Sequence, residues 1–178
     1  KDFSLQDEFT VTLTDTVGFI QDLPTELVQA FKSTLEESKN VDLLLHVIDA
    51  SDANHKIHED VVESIMKDLE MSDIPVLTVY NKLDLADDFA PTILPNVQIS
   101  IKSEAGVQQL RQAIIAKIKE LFVPFELTLP YEAAYQLPIL RKIALIDTVV
   151  AEDETETYYV SGSISEREKW RLTEDGLC

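Results

Sequence analysis

Glycine, cysteine and positive charge are all scarce in this chain of 178 residues. Only four glycines occur, Gly18, Gly106, Gly162 and Gly176, and none opens a G-x-x-x-x-G-K-[ST] run. A phosphate cradle of that kind needs glycines so that backbone N–H groups can approach the phosphates, so these residues do not supply one. The single cysteine, Cys178, excludes an internal disulfide and fits a reducing cytoplasm. Lys and Arg number 15 against 33 Asp and Glu, a formal net charge of −18. That balance argues against a large phosphate-contacting surface. Lys117, Lys119, Arg141 and Lys142 are spread out, so no nucleic-acid stripe is visible. Lys1 opens the chain without Met and without a signal-peptide pattern. No apolar run approaches the ~20 residues of a membrane helix. The longest runs, 41–50 and 74–80, have the length of strands.

What is present suffices for a core: 45% of the residues are hydrophobic. From Phe9 to Phe122, short apolar runs alternate with segments of helical period, the pattern of a parallel sheet flanked by helices. Phe9–Thr14 alternates and is rich in β-branched residues, which predicts a strand. Leu27, Phe31 and Leu35 predict a helix over 24–39, with Pro24 in its first turn. Strands are expected over 41–48, 75–80 and 96–101, and helices over 56–71 and 106–122. After Pro124 the order becomes strand 125–130, helix 133–144, strand 146–151 and strand 157–164, a small α+β arrangement. The expected division is therefore 1–123 and 124–178.

Three short motifs stand where these strands end. Asn81-Lys82-Leu83-Asp84 follows the 75–80 run. The carboxylate of Asp84 can accept two hydrogen bonds from the ring N–H and exocyclic amine of guanine, a pairing adenine cannot supply. The aliphatic stem of Lys82 can lie over a purine face, and Asn81 can bridge to neighbouring backbone. Asp15-Thr16-Val17-Gly18 ends the Phe9 strand. Asp15 there can hold Mg²⁺ through a water, and Gly18 lets a backbone N–H approach a terminal phosphate. Ser100-Ile101-Lys102 precedes Gly106 and resembles the Ser-Ala-Lys turn of GTPases, which offers a backbone N–H and a second stem to guanine. Ile101 is larger than the usual alanine. Singly, each motif is also an ordinary turn. Together, in this order and at the carboxyl ends of parallel strands, they predict a site for GTP or GDP. His46 reads as a core or interface residue, Asp49 as a cap for its loop, and Trp170 as packing. His55 and His58 lack a third partner for a metal.

The runs Asp15-Thr-Val-Gly-Phe-Ile-Gln-Asp-Leu-Pro24, Leu27-Val-Gln-Ala-Phe-Lys-Ser-Thr-Leu-Glu-Glu37 and Asp42-Leu-Leu-Leu-His-Val-Ile-Asp-Ala-Ser51 resemble the HflX family of GTPases. The likeness is dense over Phe9–Asp84 and collinear beyond, where Leu129-Pro130-Tyr131 resembles the opening of that family's C-terminal domain. It implies a cytoplasmic GTPase acting on the large ribosomal subunit and in ribosome splitting. Phe19 fits the family too: it stands where many GTPases place the glutamine that orients water. With no donor or acceptor it cannot do so, which implies slow hydrolysis accelerated by a partner.

The fold class expected is α/β: a mostly parallel sheet of P-loop GTPase type with flanking helices, then a small α+β domain. The missing phosphate loop makes that sheet incomplete at its N-terminus. In the family the absent strand lies between the Phe9 and Val41 strands. Two other readings of the residues stay open. One is a non-hydrolysing interaction module. The other is a receiver-like phosphoacceptor using Asp15, Asp49 and Lys82.

Overall fold

The computed structural model describes residues 1–15 and 41–172, and the chain forms two compact units. One consists of Lys1–Thr14 with the chain from Ile114 onward; the other is Asp15–Ala113. The sequence division at 123/124 therefore differs from the grouping by contacts, which places the N-terminal residues with the C-terminal segment. The expected helix over 24–39 lies outside the described residues.

The chain opens with a hairpin. Strand β1 (Asp2–Gln6) pairs antiparallel with β2 (Phe9–Thr12), so the Phe9 strand belongs to a two-stranded sheet of its own. The alternation that predicted β2 is right about strand and silent about partner, because a period of two is the same in both sheet types. The turn carries no glycine. Asp7 takes its left-handed conformation at φ 47°, which a short polar side chain tolerates. Leu5 and Phe9 are buried.

Within the second unit, β3 (Leu44–Asp49), β4 (Val76–Asn81) and β5 (Asn96–Gln98) form a parallel sheet in the order β3-β4-β5. Leu77, Thr78, Val79 and Tyr80 of the central strand are all buried, as an unbroken apolar run between two neighbours should be. Helix α1 (His55–Asp68) presents one face inward. Ile65 on that face and Leu69 just beyond the helix pack with Met71 against Leu44, Met66 and Ile74, whereas Val61 is exposed. A second cluster joins Ile48, Ala50 and Tyr80 to Leu83, Ala86, Phe89 and Ile93. Among the described residues nothing pairs with the other edge of β3, and Val47 on it is 59% exposed.

Helix α2 (Glu104–Leu121) begins in the second unit and ends in the first. Ile118 is buried, while Leu121 is exposed. In the first unit, β6 (Val123–Pro130), β7 (Ala144–Glu152) and β8 (Thr157–Ile164) form an antiparallel sheet in the order β6-β8-β7. The helix expected over 133–144 is shorter. Residues Tyr131–Gln136 form a 3-10 turn, and helix α3 spans Leu137–Ile143. Pro138 has no N–H to give a carbonyl four residues back, so the α-helix starts there rather than running through it. Leu140, Ala144, Ile146, Val160 and Ile164 make the core of this unit. Arg141 of α3 pairs with Asp7, and Gln6 Nε2 donates to the Ile146 carbonyl at 2.5 Å, tying the N-terminal hairpin to this sheet.

Candidate guanine-nucleotide site

The carboxyl ends of β3 and β4 are level, because Asp49 pairs with Asn81 in the parallel register. The Ala50 N–H donates to the Asn81 carbonyl at 2.8 Å, extending the ladder one step past the strands. At that point the chain turns sharply. Lys82 is left-handed, at φ 64° and ψ 31°, and Leu83–Leu85 form one 3-10 turn. The Leu83 N–H donates to the Ile99 carbonyl at 3.1 Å, which joins this turn to the end of β5.

These constraints gather the side chains that the sequence singled out. Asn81 Oδ1 accepts from the Ile101 N–H at 3.0 Å. Ser100 Oγ donates to Asp84 Oδ1 at 2.6 Å, and Lys102 Nζ lies 3.3 Å from Asp84 Oδ2. The Ser100 hydrogen bond is the main reason the Asp84 carboxyl titrates below its ordinary value, and Lys102 adds to it. Asp84 is therefore an ionised acceptor at the pH of a cell. The Ile101 side chain is exposed, so its bulk meets nothing, and the turn contributes through its backbone. That N–H is already given to Asn81, and both Asp84 oxygens have partners. A base entering here exchanges with contacts that already exist.

An open cleft of about 540 Å³ lies beside Asp84, lined by Leu83, Gln98, Ser100, Lys102, Gly106 and Gln109 among others. A Cβ at Gly106 would run into the Ser100 carbonyl, so only glycine lets α2 start this close to the turn. The turn is also tied from the helix side. Ser103 N–H and Oγ both donate to the Ser100 carbonyl, at 3.1 and 3.0 Å, and Gly106 N–H donates to Ser103 Oγ at 3.0 Å.

One contact lay outside the sequence reading, the pairing of Lys82 with Asp49. Lys82 Nζ reaches Asp49 Oδ2 at 2.6 Å, and Asp49 Oδ1 accepts from Ser51 N–H at 3.0 Å and Ser51 Oγ at 2.6 Å. Asp49 thus caps its loop, as expected, and holds the lysine of the neighbouring motif as well. Partial burial pushes its carboxyl up, but the hydrogen bonds from Lys82 and Ser51 outweigh this and leave it below the usual value. Aligning the two strand ends would have revealed the pair, since parallel registry puts Asp49 beside Asn81.

Asp15 is exposed at the end of the first described segment. Thr16, Val17, Gly18 and Phe19 lie outside the described residues. Among the described residues no three His, Cys, Asp or Glu side chains come together as a metal site. No described helix is long and apolar enough to cross a membrane.

A family model described as a 50S ribosome-binding GTPase matches residues 1–82. The GTPase HflX of Alkalihalophilus pseudofirmus is 38% identical over 156 residues, covering 86% of this chain and 37% of the relative. The GTPase HflX of Escherichia coli is 38% identical over 143 residues, covering 73% of this chain and 34% of the relative. The chain thus spans about a third of the length of these curated relatives. Among solved structures, a GTP-binding protein of Sulfolobus solfataricus in complex with GDP superposes with a TM-score of 0.50 at 29% identity. It covers 63% of this chain and 42% of that one. A mutation variant of SsGBP gives a TM-score of 0.54 at 25% identity, over 67% and 46%. These structures agree with the parallel α/β arrangement seen here. By its sequence, the chain belongs to the HflX family of GTPases.

Proposed function

We propose that this chain carries the guanine-reading part of an HflX-type GTPase, followed by a small C-terminal α+β domain. The observation that carries this reading is Asp84. Its carboxylate is ionised and exposed at the carboxyl edge of a parallel sheet, and is oriented by the Ser100 hydroxyl at 2.6 Å. In that position it accepts the ring N–H and exocyclic amine of guanine, displacing Lys102. The stems of Lys82 and Lys102 then flank the base. Adenine offers no such pair of N–H donors to replace the Lys102 contact it would displace, which is the basis of selection.

The nucleotide's phosphates need a cradle that the 178 residues do not encode. We infer that the parent protein supplies it elsewhere, consistent with relatives of which this chain covers only 37% and 34%. Asp15 would hold Mg²⁺ through a water. With no cluster of acidic side chains among the described residues, the ion would rest mainly on the phosphates. Bound there, Mg²⁺ neutralises charge on the phosphates. Gly18 and Phe19 would belong to the segment that senses the terminal phosphate. We further propose that the partner is the large ribosomal subunit, in keeping with the 50S ribosome-binding description of the matching family model, and that the compartment is the cytoplasm.

The Lys82–Asp49 pair is a feature shared with a receiver-like phosphoacceptor. Acetyl phosphate separates the two readings. A phosphoacceptor becomes labelled at Asp49; a guanine site does not. The direct test is binding of fluorescent GDP to this chain, competed with unlabelled GDP, IDP and ADP. Displacement by GDP, weaker displacement by IDP, which lacks the amine, and none by ADP is expected. ADP competing as well as GDP would remove the guanine reading.

A further inference from the structure

Asp49 lies one strand away from the guanine motif, and its carboxylate is held from two sides. Ser51 N–H and Oγ fix Oδ1, at 3.0 and 2.6 Å, leaving Oδ2 turned to Lys82 Nζ at 2.6 Å. The lysine end is equally constrained. Its left-handed backbone, uncommon for a residue with a Cβ, follows directly on the ladder bond between Ala50 and Asn81. The backbone therefore sets where the stem leaves, and Asp49 sets where it arrives. Lys82 and Asp49 remain 49% and 35% exposed, so the pair adds little to global stability. What it does is restrict a long stem with four rotatable bonds.

That restriction matters for the reading above, on which this inference rests, because on that reading the Lys82 stem flanks the base. An unrestrained lysine must be immobilised when the base arrives, and that entropy is lost from affinity. We propose that Asp49, anchored by Ser51, is a positioning residue of the guanine site: it holds the Lys82 stem across the strand ends before the nucleotide binds. Asp49 touches no part of the base. It acts through Lys82, and Ser51 acts through Asp49.

A double-mutant cycle on the whole chain tests this, with fluorescent GDP as the probe. Asp49→Asn leaves one oxygen to serve both Ser51 and Lys82, and should weaken GDP binding roughly three- to tenfold, the cost of freezing one long side chain. Lys82→Met keeps the apolar stem and removes the ammonium. In that background Asp49→Asn should change affinity by less than about 1.5-fold, within the usual error of additivity. Ser51→Ala should show a smaller loss, again only when Lys82 is present. A second readout needs no nucleotide. Acetic anhydride attacks the uncharged amine, and the pair keeps Lys82 charged. Lys82 should therefore acetylate faster in Asp49→Asn than in the unmodified chain, relative to the other lysines. Equal losses in both backgrounds, or unchanged Lys82 labelling, would overturn the positioning role while leaving the guanine site intact. Absence of GDP binding by the unmodified chain would overturn the guanine site, and the positioning role with it.

Discussion

Tyr80 donates its phenol proton to Glu59 across 2.9 Å, and both side chains are buried. The same phenol oxygen accepts the N–H groups of Thr92 and Ile93, at 3.2 and 3.0 Å, and the Thr92 hydroxyl donates to the other Glu59 oxygen. One strand residue, one helix residue and one loop are thus joined immediately beneath the Asn81 motif. Buried polar groups tied in this way are costly to leave half-made.

Tyr80→Phe removes the hub and keeps the ring, which packs against Phe89 at 4.8 Å between centroids. Two loop N–H groups and one carboxylate oxygen lose their partner. Unfolding in urea should show a loss of about 2 kcal/mol, within the ~1–3 expected for stranded buried groups, with an unchanged slope. A loss below about 0.5 kcal/mol, the level of an ordinary surface change, would mean the loop is not held by the phenol.

Asp84→Asn should exchange base preference. The amide donates where the carboxylate accepted, and xanthine offers a carbonyl at the position of guanine's amine. GDP affinity should fall by at least roughly a hundredfold, while xanthosine diphosphate gains relative to GDP. Competition binding with both nucleotides reads this directly. Ser100→Ala should weaken GDP binding in the same direction but less, since Asp84 keeps its charge and loses only its orientation.

Gly106→Ala tests how the turn is built. The new methyl meets the Ser100 carbonyl, and backbone cannot swing aside as a side chain can. Either α2 or the Ser100 turn must shift, at about 1–3 kcal/mol of stability, the usual range for overpacking. GDP binding should weaken as well, because the carbonyl that moves belongs to the residue orienting Asp84. Unaltered stability and affinity would show that the turn relaxes freely.

Much of this arrangement was legible in the residues. The parallel strands announce themselves as apolar runs, and the Asn81 and Ser100 motifs fall where β4 and β5 end, where a parallel sheet places loops together; the strand before Asp15 instead belongs to the antiparallel β1-β2 hairpin, and Thr16, Val17 and Gly18 lie outside the described residues. The pairing of β2 was not legible, because alternation does not name a partner, and β1 opens with the weakly patterned Asp2–Gln6. The extent of α3 was misjudged because helical spacing over 133–144 says nothing of the missing N–H at Pro138. The Asp49–Lys82 contact depends on the registry of two strands separated by α1, which no local pattern contains.

His46 gives the fold a pH response of known sign. Burial lowers its pKa from the ordinary 6.5, and the nearby Glu59 opposes this only in part. The folded chain therefore resists a proton that the unfolded chain accepts. Stability from this group is full above about pH 6.5 and declines as the pH falls through the lowered value. Urea midpoints at pH 7.5 and 5.5 should differ less in His46→Leu than in the unmodified chain. An identical difference in both would assign the acid sensitivity to other groups.

The guanine half of a site does not make a hydrolase. In phosphoryl transfer the protein contributes position and electrostatic stabilisation of the transferring group, both of which reside in the phosphate cradle and its lysine. On the proposed reading, Asp84, Ser100 and Lys82 would hold the far end of the nucleotide, away from the reacting atoms. The 178-residue chain should therefore bind guanine nucleotide weakly and turn over GTP at least roughly a hundredfold more slowly than a parent that carries the cradle, under matched Mg²⁺. Large ribosomal subunits should accelerate the parent and leave this chain unchanged, since a partner can order a catalytic segment but not replace absent backbone donors. In the parent, Phe19→Ala should alter subunit-stimulated turnover more than nucleotide affinity, because a phenyl ring orients no water and can only pack. Turnover by this chain within about tenfold of the parent would show that these residues assemble a phosphate site without the glycine-rich loop.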